Sequence, residues 1–324
     1  MPKQVLSIPA LMKLLTSEAA AYELLEDLRW RGEPVCPHCG TIDRATYIQP
    51  VNGTSRATRT GRPSERRVWK CNACRKQFTV LVGTIFHGTK ISIRTWVLVL
   101  LEMCASKNGI SAREIERKYD LTAKSAWFMA HRIREAMKTD PLAGLMRGTI
   151  IADETWVGGD PANRHGDGPG YGRTDKQPVM ALIDYETREV RSRVIPDVTG
   201  RTLATVLRDE VEVKRSQLWT DESSSYRSIG EEFNSHHKVN HNAGEYKRDG
   251  AGTNLAEGYF SQLKRSIDGT HHHVSVEHLG RYLAHFDFLY THCRASDSER
   301  MIGLLQRVGG RRLTYKPLTA SVAG

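Results

Sequence analysis

The sequence lacks any run of about 18 consecutive apolar residues, so it predicts no membrane-spanning helix. The N-terminal segment has no long apolar stretch followed by a small-residue cleavage site, so secretion is not expected. Acidic residues are in deficit: 37 Asp and Glu oppose 47 Lys and Arg, which gives a net charge of +10. A surplus of this size favours a polyanionic partner without identifying it.

The length of 324 residues allows about two domains, each large enough to bury its own core. Hydrophobic residues make up 39% and charged residues 26%, as in a globular chain and not a disordered one. Positive charge is concentrated between positions 56 and 76, where eight basic residues accompany one acid. Such a run is either a solvated loop or a phosphate-binding segment. Within it, Arg66 and Arg67 are candidate DNA contacts.

Four of the six cysteines form two pairs with two residues between the thiols, Cys36 with Cys39 and Cys71 with Cys74. At this spacing one tight turn aims both sulfurs at a single ion, and two turns complete a closed tetrahedral site for structural Zn²⁺. Strand-like stretches flank the second pair, as in a zinc ribbon. A redox dithiol is the alternative for a single pair, but two pairs favour zinc. His38 is either a substitute ligand or a solvent-facing turn residue.

Between positions 91 and 137 apolar residues recur at helical spacing, which predicts three helices. Ser111 and Glu114 form a capping-box pair at the start of the second helix, and a tight turn near position 120 leads into the third. Two short helices joined in this way predict a helix-turn-helix DNA-binding segment, although plain helical hairpins share the pattern. The third helix supplies further candidate phosphate contacts: Lys124, Arg132 and Arg134.

Beyond Gly148 the sequence predicts a second domain with strands at 149–159, 177–184, 189–195 and 216–221. A helix at 202–211 precedes the fourth strand, and a longer helix at 254–267 follows it. Three strands, a helix, another strand and then helices is the order of an RNase H-like domain, so the predicted class is α/β with a mixed sheet. In that order the first and fourth strands are neighbours, which brings Asp153 beside Asp221, and Glu257 faces them from the longer helix.

Three carboxylates at one place suit Mg²⁺, because this hard ion prefers oxygen ligands. Two such ions clamp the attacking and leaving oxygens of a phosphoryl displacement. Lys264 shares a helix face with Glu257 and can hold a DNA phosphate near the ions. The chain holds 37 acids, so topology alone selects the three. The alternatives nearby are Glu154, Asp160, Asp184 and Glu222.

Motifs spread over about positions 15–294 carry a family resemblance. In the first half they are 36–40, 69–74, 83–86 with Trp96, and 126–137. In the second half they are 153–159, 220–221 with Tyr226, 239–241, 254–265, 269–275 and 279–282. In this order they resemble bacterial insertion-sequence transposases that join an N-terminal zinc ribbon to a DDE-type catalytic domain. The chain departs from that family at 287–294, where an Arg-rich ending is usual.

The resemblance implies that Asp153, Asp221 and Glu257 bind two Mg²⁺ or Mn²⁺ ions, with Lys264 as their basic companion. It implies a DNA transposase that cleaves the element ends and transfers the strands into target DNA. The expected partners are double-stranded DNA, as terminal inverted repeats and target, and further copies of the chain in a homodimer or larger assembly. The expected location is the bacterial cytoplasm, in association with the nucleoid. Arg265, next to Lys264, is a further candidate DNA contact.

The predicted domains are a zinc ribbon with an N-terminal helix at 1–90, a helix-turn-helix segment at 91–147, an RNase H-like catalytic domain at 148–295 and a C-terminal tail at 296–324. The stretch after Arg294 is either a basic tail or a packed segment. The glycine-rich stretch 158–172 predicts a mobile loop, and the three histidines 271–273 predict a loop that contacts DNA. Two other functions fit the same features. One is a DNA-binding regulator with an inert catalytic-like domain, and the other is a nuclease or junction resolvase that cuts without joining.

Overall fold

The computed structural model describes residues 7–49, 64–140, 142–158, 176–239 and 253–315. Parts of several predicted features lie outside these ranges: the basic residues at 56–62, the glycine-rich stretch at 159–172 with Asp160, the last two positions of the motif at 239–241, and 316–324 of the predicted C-terminal tail. The chain divides into two compact units. The first contains 1–106, 112–136 and 295–324, and the second contains 107–111 and 137–294. In the described ranges no helix is both long enough and apolar enough to span a bilayer.

The first unit opens with two helices and a small sheet. Helix α1 (Ile8–Leu14) and helix α2 (Glu18–Trp30) precede strands β1 (Ala45–Tyr47), β2 (Trp69–Cys71) and β3 (Gln77–Phe78). The strands form an antiparallel sheet in the order β1-β2-β3. The Trp30 ring packs edge-on against the rings of Trp69 and Phe78, with distances between ring centres of 5.7 and 5.9 Å. Glu26 accepts hydrogen bonds from Arg67 and Trp69. These contacts fix helix α2 on the sheet.

Three helices follow the sheet: α3 (Ile93–Ala105), α4 (Ala112–Tyr119) and α5 (Ala123–Met137). The prediction of three helices here is confirmed. A left-handed residue, Asp120 with φ of 50°, makes the tight turn between α4 and α5. Helix α3 is buried along most of its length, and Glu102 near its end accepts hydrogen bonds from Lys118 and Tyr119 of α4.

The predicted C-terminal stretch contains a helix, α10 (Asp297–Gln306), which favours the packed segment over the basic tail for these residues. Ser296 and Glu299 form a complete capping box at its start. Met301, Leu304 and Leu305 are fully buried, because α10 packs on α2 and α3. The helix is therefore part of the core of the first unit.

The second unit is built on a five-stranded mixed sheet. Its strands are β4 (Met146–Val157), β5 (Gln177–Asp184), β6 (Val190–Val194), β7 (Val211–Asp221) and β8 (Ser235–Val239). The order across the sheet is β6-β5-β4-β7-β8. The first three strands along the chain pair antiparallel, and β7 and β8 join them in parallel. This is the RNase H-like arrangement, and the predicted fold class is confirmed.

Helices cover both faces of this sheet. They are α6 (Gly200–Glu210), the short α7 (Arg227–Gly230), α8 (Asn254–Ser266) and α9 (Val276–Thr291). Ile150 and Ala152 of β4 pack in one core cluster with Leu203 and Leu207 of α6. Because side chains alternate along a strand, Asp153 points to the opposite face. Helix α8 packs on β4 and β5, and α9 packs on β6, on that opposite side of the sheet.

Candidate functional site

The four predicted zinc ligands come together in the first unit. The Sγ atoms of Cys36 and Cys74 are 3.7 Å apart, as are those of Cys39 and Cys71, and all four lie within 4.8 Å of one another. Four sulfurs at about 2.3 Å from one ion at tetrahedral corners are about 3.8 Å apart. The observed separations therefore fit a closed four-thiolate zinc site with no position left for a substrate.

Local hydrogen bonds shape both cysteine turns. The Cys74 amide donates to the Cys71 sulfur, and hydrogen bonds from Thr41 lower the pKa of Cys39 to about 6. A thiol with a lowered pKa is more readily present as the thiolate that binds metal. His38 lies 3.3 Å from the carbonyl oxygen of Gln77 and is exposed, as expected of a turn residue.

Asp153 and Asp221 lie on adjacent parallel strands of the second unit. Ile150 of β4 pairs with Leu218 of β7, and Ile151 pairs with Trp219. The pairing of the two strands ends there, and Asp153 and Asp221 each lie two residues further along their strand. Neighbouring strands are about 4.8 Å apart, and residues paired in register point to the same face. Asp153 and Asp221 therefore follow the last paired residues of two neighbouring parallel strands, and the charges of both act on Glu154.

Helix α8 is fixed over that face by a buried polar cluster. Asp153 pairs across the sheet with Ala181, and Ala181 pairs with Ser192, so Ser192 lies in the same row and on the same face. The Ser192 hydroxyl is 2.9 Å from the Tyr259 hydroxyl of α8 and donates to Asp287 of α9 at 2.7 Å. Tyr259 also donates to Asp287 at 2.6 Å. This cluster joins α8, α9 and β6 on the side of the sheet that carries Asp153.

Glu257 lies two residues before Tyr259, in the first turn of α8. The helix buries Ala256, Tyr259, Phe260 and Leu263, while Glu257 and Lys264 are exposed. Among the described residues, the cysteines are the only group of three or more potential metal-binding side chains whose ligand atoms lie within 4.8 Å. The carboxylates of Asp153, Asp221 and Glu257 are not grouped within that distance.

The negative charge of the two aspartates has a clear effect on Glu154. Burial, followed by the charges of Asp153 and Asp221, raises the pKa of Glu154 to about 8. Glu154 also accepts a hydrogen bond from the Tyr226 hydroxyl. It is therefore largely protonated at neutral pH and is a weak candidate for a metal ligand in that state. From the sequence, Glu154 was only an alternative acid. Its contact with Tyr226 could not be predicted, because the two residues lie far apart in the chain.

Two other alternative acids have different settings. Asp184 accepts hydrogen bonds from the amides of Glu186 and Thr187, so it stabilises the turn between β5 and β6. Its partner across the sheet is Ile150, which comes three residues before Asp153 on β4. Asp184 is therefore further from the C-terminal end of β4 than Asp153 is. Glu222 is exposed just beyond β7. Asp221 itself accepts a hydrogen bond from the Ser223 amide at 3.0 Å, which orients its carboxylate.

The predicted DNA contacts on α5 are only partly compatible with the structure. Arg132 is 4% exposed and Arg134 is 1% exposed, so neither guanidinium is available to a phosphate, and the prediction for these two is corrected. Arg132 donates to the His87 carbonyl and lies over the Trp96 ring, and burial lowers its pKa to about 10. Lys124 is exposed but lies 4.4 Å from the centre of the Tyr315 ring.

The remaining candidates are divided between the two units. Arg66 is exposed at the edge of the ribbon. Arg67, next to it, is engaged by Glu23 and Glu26 at 2.7 and 2.8 Å and lies over the Tyr47 ring. Arg265 is exposed on α8, beside Lys264. Arg66, Lys124 and Arg265 are thus the predicted contacts that remain accessible.

Comparisons with known proteins agree with this description. Residues 145–291 match the family model of the ISXO2-like transposase domain, and residues 16–77 match that of the transposase zinc-ribbon domain. A protein of transposable element ISH50 from Halobacterium salinarum, itself uncharacterized, is 26% identical over 293 residues. The match covers 85% of this chain and 91% of that protein.

Among solved structures, the catalytic core domain of BIV integrase is similar to part of the chain. The similarity covers 43% of this chain and 82% of that domain, at 14% identity and a TM-score of 0.30. The assignment of the fold rests on the strand order of the five-stranded sheet and not on this similarity. With a zinc-ribbon domain and an ISXO2-like transposase domain in one sequence, the chain belongs to the insertion-sequence transposases.

Proposed function

We propose that the protein is a DNA transposase that cleaves DNA at the ends of a mobile element and transfers the cleaved strands into target DNA. In this proposal Asp153, Asp221 and Glu257 hold divalent cations. The supporting observation is that Asp153 and Asp221 each lie two residues beyond the last paired residues of the neighbouring strands β4 and β7. Glu257 lies on α8, which packs on β4.

The donor set suits Mg²⁺ or Mn²⁺, because all three side chains offer carboxylate oxygens. Burial, followed by the charges of Asp153 and Asp221, raises the pKa of Glu154 to about 8, and those two charges favour a cation at this place. When bound, two such ions stabilise the charge that develops on the attacking and leaving oxygens of an in-line displacement. In the same way, the four cysteines suit Zn²⁺, which here has a structural role.

The chemistry proposed has two displacements at phosphorus. First, water attacks the phosphodiester at the element end, the bond from phosphorus to the 3′ oxygen breaks, and that oxygen leaves as a 3′-hydroxyl. Next, this 3′-hydroxyl attacks a phosphodiester of the target, so a new bond joins element to target and a target 3′-hydroxyl leaves. The carboxylates orient the reacting groups, and Lys264 binds a neighbouring phosphate oxygen.

DNA is the proposed partner, as inverted-repeat duplex and as target duplex. Arg66, Lys124 and Arg265 are the accessible basic side chains proposed to bind phosphates, and such contacts give affinity that falls steeply with salt. Joining both ends of one element requires a homodimer or a larger assembly. The proposed location is the cytoplasm, next to the chromosomal DNA.

The experiment uses a labelled duplex that carries the inverted repeat flanking the gene, incubated with the full-length protein and Mg²⁺. Asp221→Asn is expected to abolish both cleaved and joined products, since it removes one ligand charge. Asp184→Asn is the matched control, because it changes a buried aspartate of the same sheet that stabilises a turn. Full joining by Asp221→Asn would refute the proposal. Cleavage without joined products would indicate a nuclease, and binding without cleavage a regulator.

A further inference from the structure

A chain of two hydrogen bonds connects His236 on β8 with the backbone of Asp221 at the end of β7. The Thr220 hydroxyl donates to the carbonyl oxygen of Asp221 at 2.7 Å and lies 2.9 Å from the Nε2 atom of His236. A hydroxyl group has a single proton to donate. Because Thr220 donates that proton to Asp221, its oxygen accepts a hydrogen bond from the Nε2–H group of His236.

We propose that His236 and Thr220 are positioning residues, which fix the backbone at Asp221 and thereby the direction of its carboxylate. Successive side chains of a strand point to opposite faces, so Thr220 lies on the face of the sheet opposite to the Asp221 carboxylate. The two residues therefore act through the backbone. This inference rests on the transposase function proposed above, and it adds two residues on which the binding of the cations depends.

The place of Asp221 in the sheet is the first argument. The pairing of β7 with β4 ends at Trp219, whereas the pairing of β7 with β8 continues to Asp221 and Val239. Among the described strands, Asp221 is thus held by the ladder on one side only. Hydrogen bonds from side chains stabilise backbone groups at places where the ladder does not. The bond from Thr220 to the Asp221 carbonyl has this role.

The second argument is that the same peptide group leads to the contact that orients the carboxylate. The Asp221 carboxylate accepts a hydrogen bond from the Ser223 amide at 3.0 Å. The carbonyl group that Thr220 binds belongs to the planar peptide between Asp221 and Glu222. Rotation of that peptide would move the Ser223 amide away from the carboxylate. By holding the peptide, Thr220 keeps the Ser223 amide in place.

The position of the His236 ring is the third argument. The ring lies against α7, where a Cβ atom built on Gly230 would collide with the Nδ1 atom of His236. Glycine at position 230 therefore leaves room for the ring. Burial lowers the pKa of His236 to about 4, so the ring is neutral at pH 7 and has one N–H group. Thr220 is fully buried, and its hydroxyl obtains its hydrogen bond from His236 and not from water.

The test measures Mn²⁺ binding to the full-length protein, from the fall in the electron paramagnetic resonance signal of free Mn²⁺, and strand cleavage of the labelled duplex. His236→Leu removes the donor, and Thr220→Val removes the hydroxyl but keeps nearly the same shape. His236→Gln and Thr220→Ser keep a donor and a hydroxyl at these positions. Ser216→Ala is the matched control, since Ser216 is also buried on β7 but its hydroxyl donates to the Glu212 carbonyl, away from Asp221.

Loss of a group that orients a metal ligand costs about 10–100-fold in metal affinity or activity. His236→Leu and Thr220→Val are therefore each expected to weaken Mn²⁺ binding about tenfold or more. The double variant should lose no more than the weaker-binding single variant, because both changes break one chain of bonds. His236→Gln, Thr220→Ser and Ser216→Ala should bind Mn²⁺ nearly as tightly as the wild type.

Wild-type Mn²⁺ affinity in Thr220→Val would overturn the proposal, and this variant decides the matter if His236→Leu does not fold. Equal losses in His236→Leu and His236→Gln would also overturn it, because they would indicate a role in packing alone. So would Mn²⁺ binding that Asp221→Asn leaves unchanged. Failure of the transposase proposal is a separate result, in which Asp221→Asn keeps its joining activity. If the inference alone fails, Asp221→Asn loses Mn²⁺ binding and joining while Thr220→Val keeps both.

Discussion

Asp287 gives a prediction that links the buried polar cluster to the stability of the second unit. Its carboxylate accepts hydrogen bonds from the Ser192 amide, the Ser192 hydroxyl and Tyr259, and it is buried between α8, α9 and β6. Burial raises the pKa of Asp287 from its ordinary 3.8 to about 6, although these hydrogen bonds oppose the shift. At about 1.36 kcal/mol for each pKa unit, the difference corresponds to about 3 kcal/mol.

The direction of the effect follows from proton binding. Between about pH 4 and pH 6 the folded protein binds a proton at Asp287 more tightly than the unfolded chain does. Stability from this group is therefore complete below about pH 4, falls as the pH rises, and is constant above about pH 6. Asp287→Asn cannot titrate, so this part of the pH dependence should disappear in the variant.

The assay is urea unfolding of the wild type and of Asp287→Asn across this pH range, with the difference in unfolding free energy plotted against pH. The wild type should lose about 3 kcal/mol relative to the variant between about pH 4 and pH 7. Tyr259→Phe is the control, because it removes one hydrogen bond and leaves the carboxyl group in place. A difference that does not change with pH would refute the assignment of a raised pKa to a buried Asp287.

Three further predictions address the zinc site, Glu154 and the arginines. Metal analysis of the purified protein should find about one zinc per chain, and Cys71→Ser should lower both the zinc content and the melting temperature of the first unit. Glu154→Gln should retain strand cleavage, because an amide replaces a carboxyl group that is largely protonated at pH 7. If this variant loses cleavage to the same extent as Asp221→Asn, Glu154 is a metal ligand. Arg132→Gln should lower the melting temperature without changing the salt dependence of DNA binding, since Arg132 is buried. Arg66→Gln should instead reduce the slope of log affinity against log salt concentration for duplex DNA by about 0.9. A reduced slope for Arg132→Gln together with an unchanged slope for Arg66→Gln would restore Arg132 as a DNA-binding residue.

Regular spacing in the sequence was enough to predict the ribbon and the strand order of the catalytic unit. The two cysteine pairs carry their own geometry, because two intervening residues define a turn that aims both thiols at one point. Asp153 and Asp221 were predicted from topology, since the order of strands and helices decides which strands become neighbours. Both predictions needed only short sequence patterns and, for the aspartates, the strand order of an RNase H-like domain.

Side-chain burial and contacts between distant positions could not be predicted in the same way. Arg132 and Arg134 look like surface residues on α5, and only the assembled unit shows that they are buried. The bonds of Tyr226 with Glu154 and of Ser192 with Asp287 join positions far apart in the chain. Helix α10 is different, because the capping box at Ser296 and Glu299 is visible in the sequence and favours a packed helix over a basic tail at these positions.

The central claim is that Asp153, Asp221 and Glu257 share divalent cations. Crystals of the full-length protein grown with Mn²⁺ test it most directly, through the anomalous scattering of the metal. We predict a manganese peak at about 2.0–2.2 Å from carboxylate oxygens of both aspartates, with Glu257 turned towards it. Manganese bound elsewhere, or Glu257 directed away from both aspartates in the metal-bound protein, would contradict the claim.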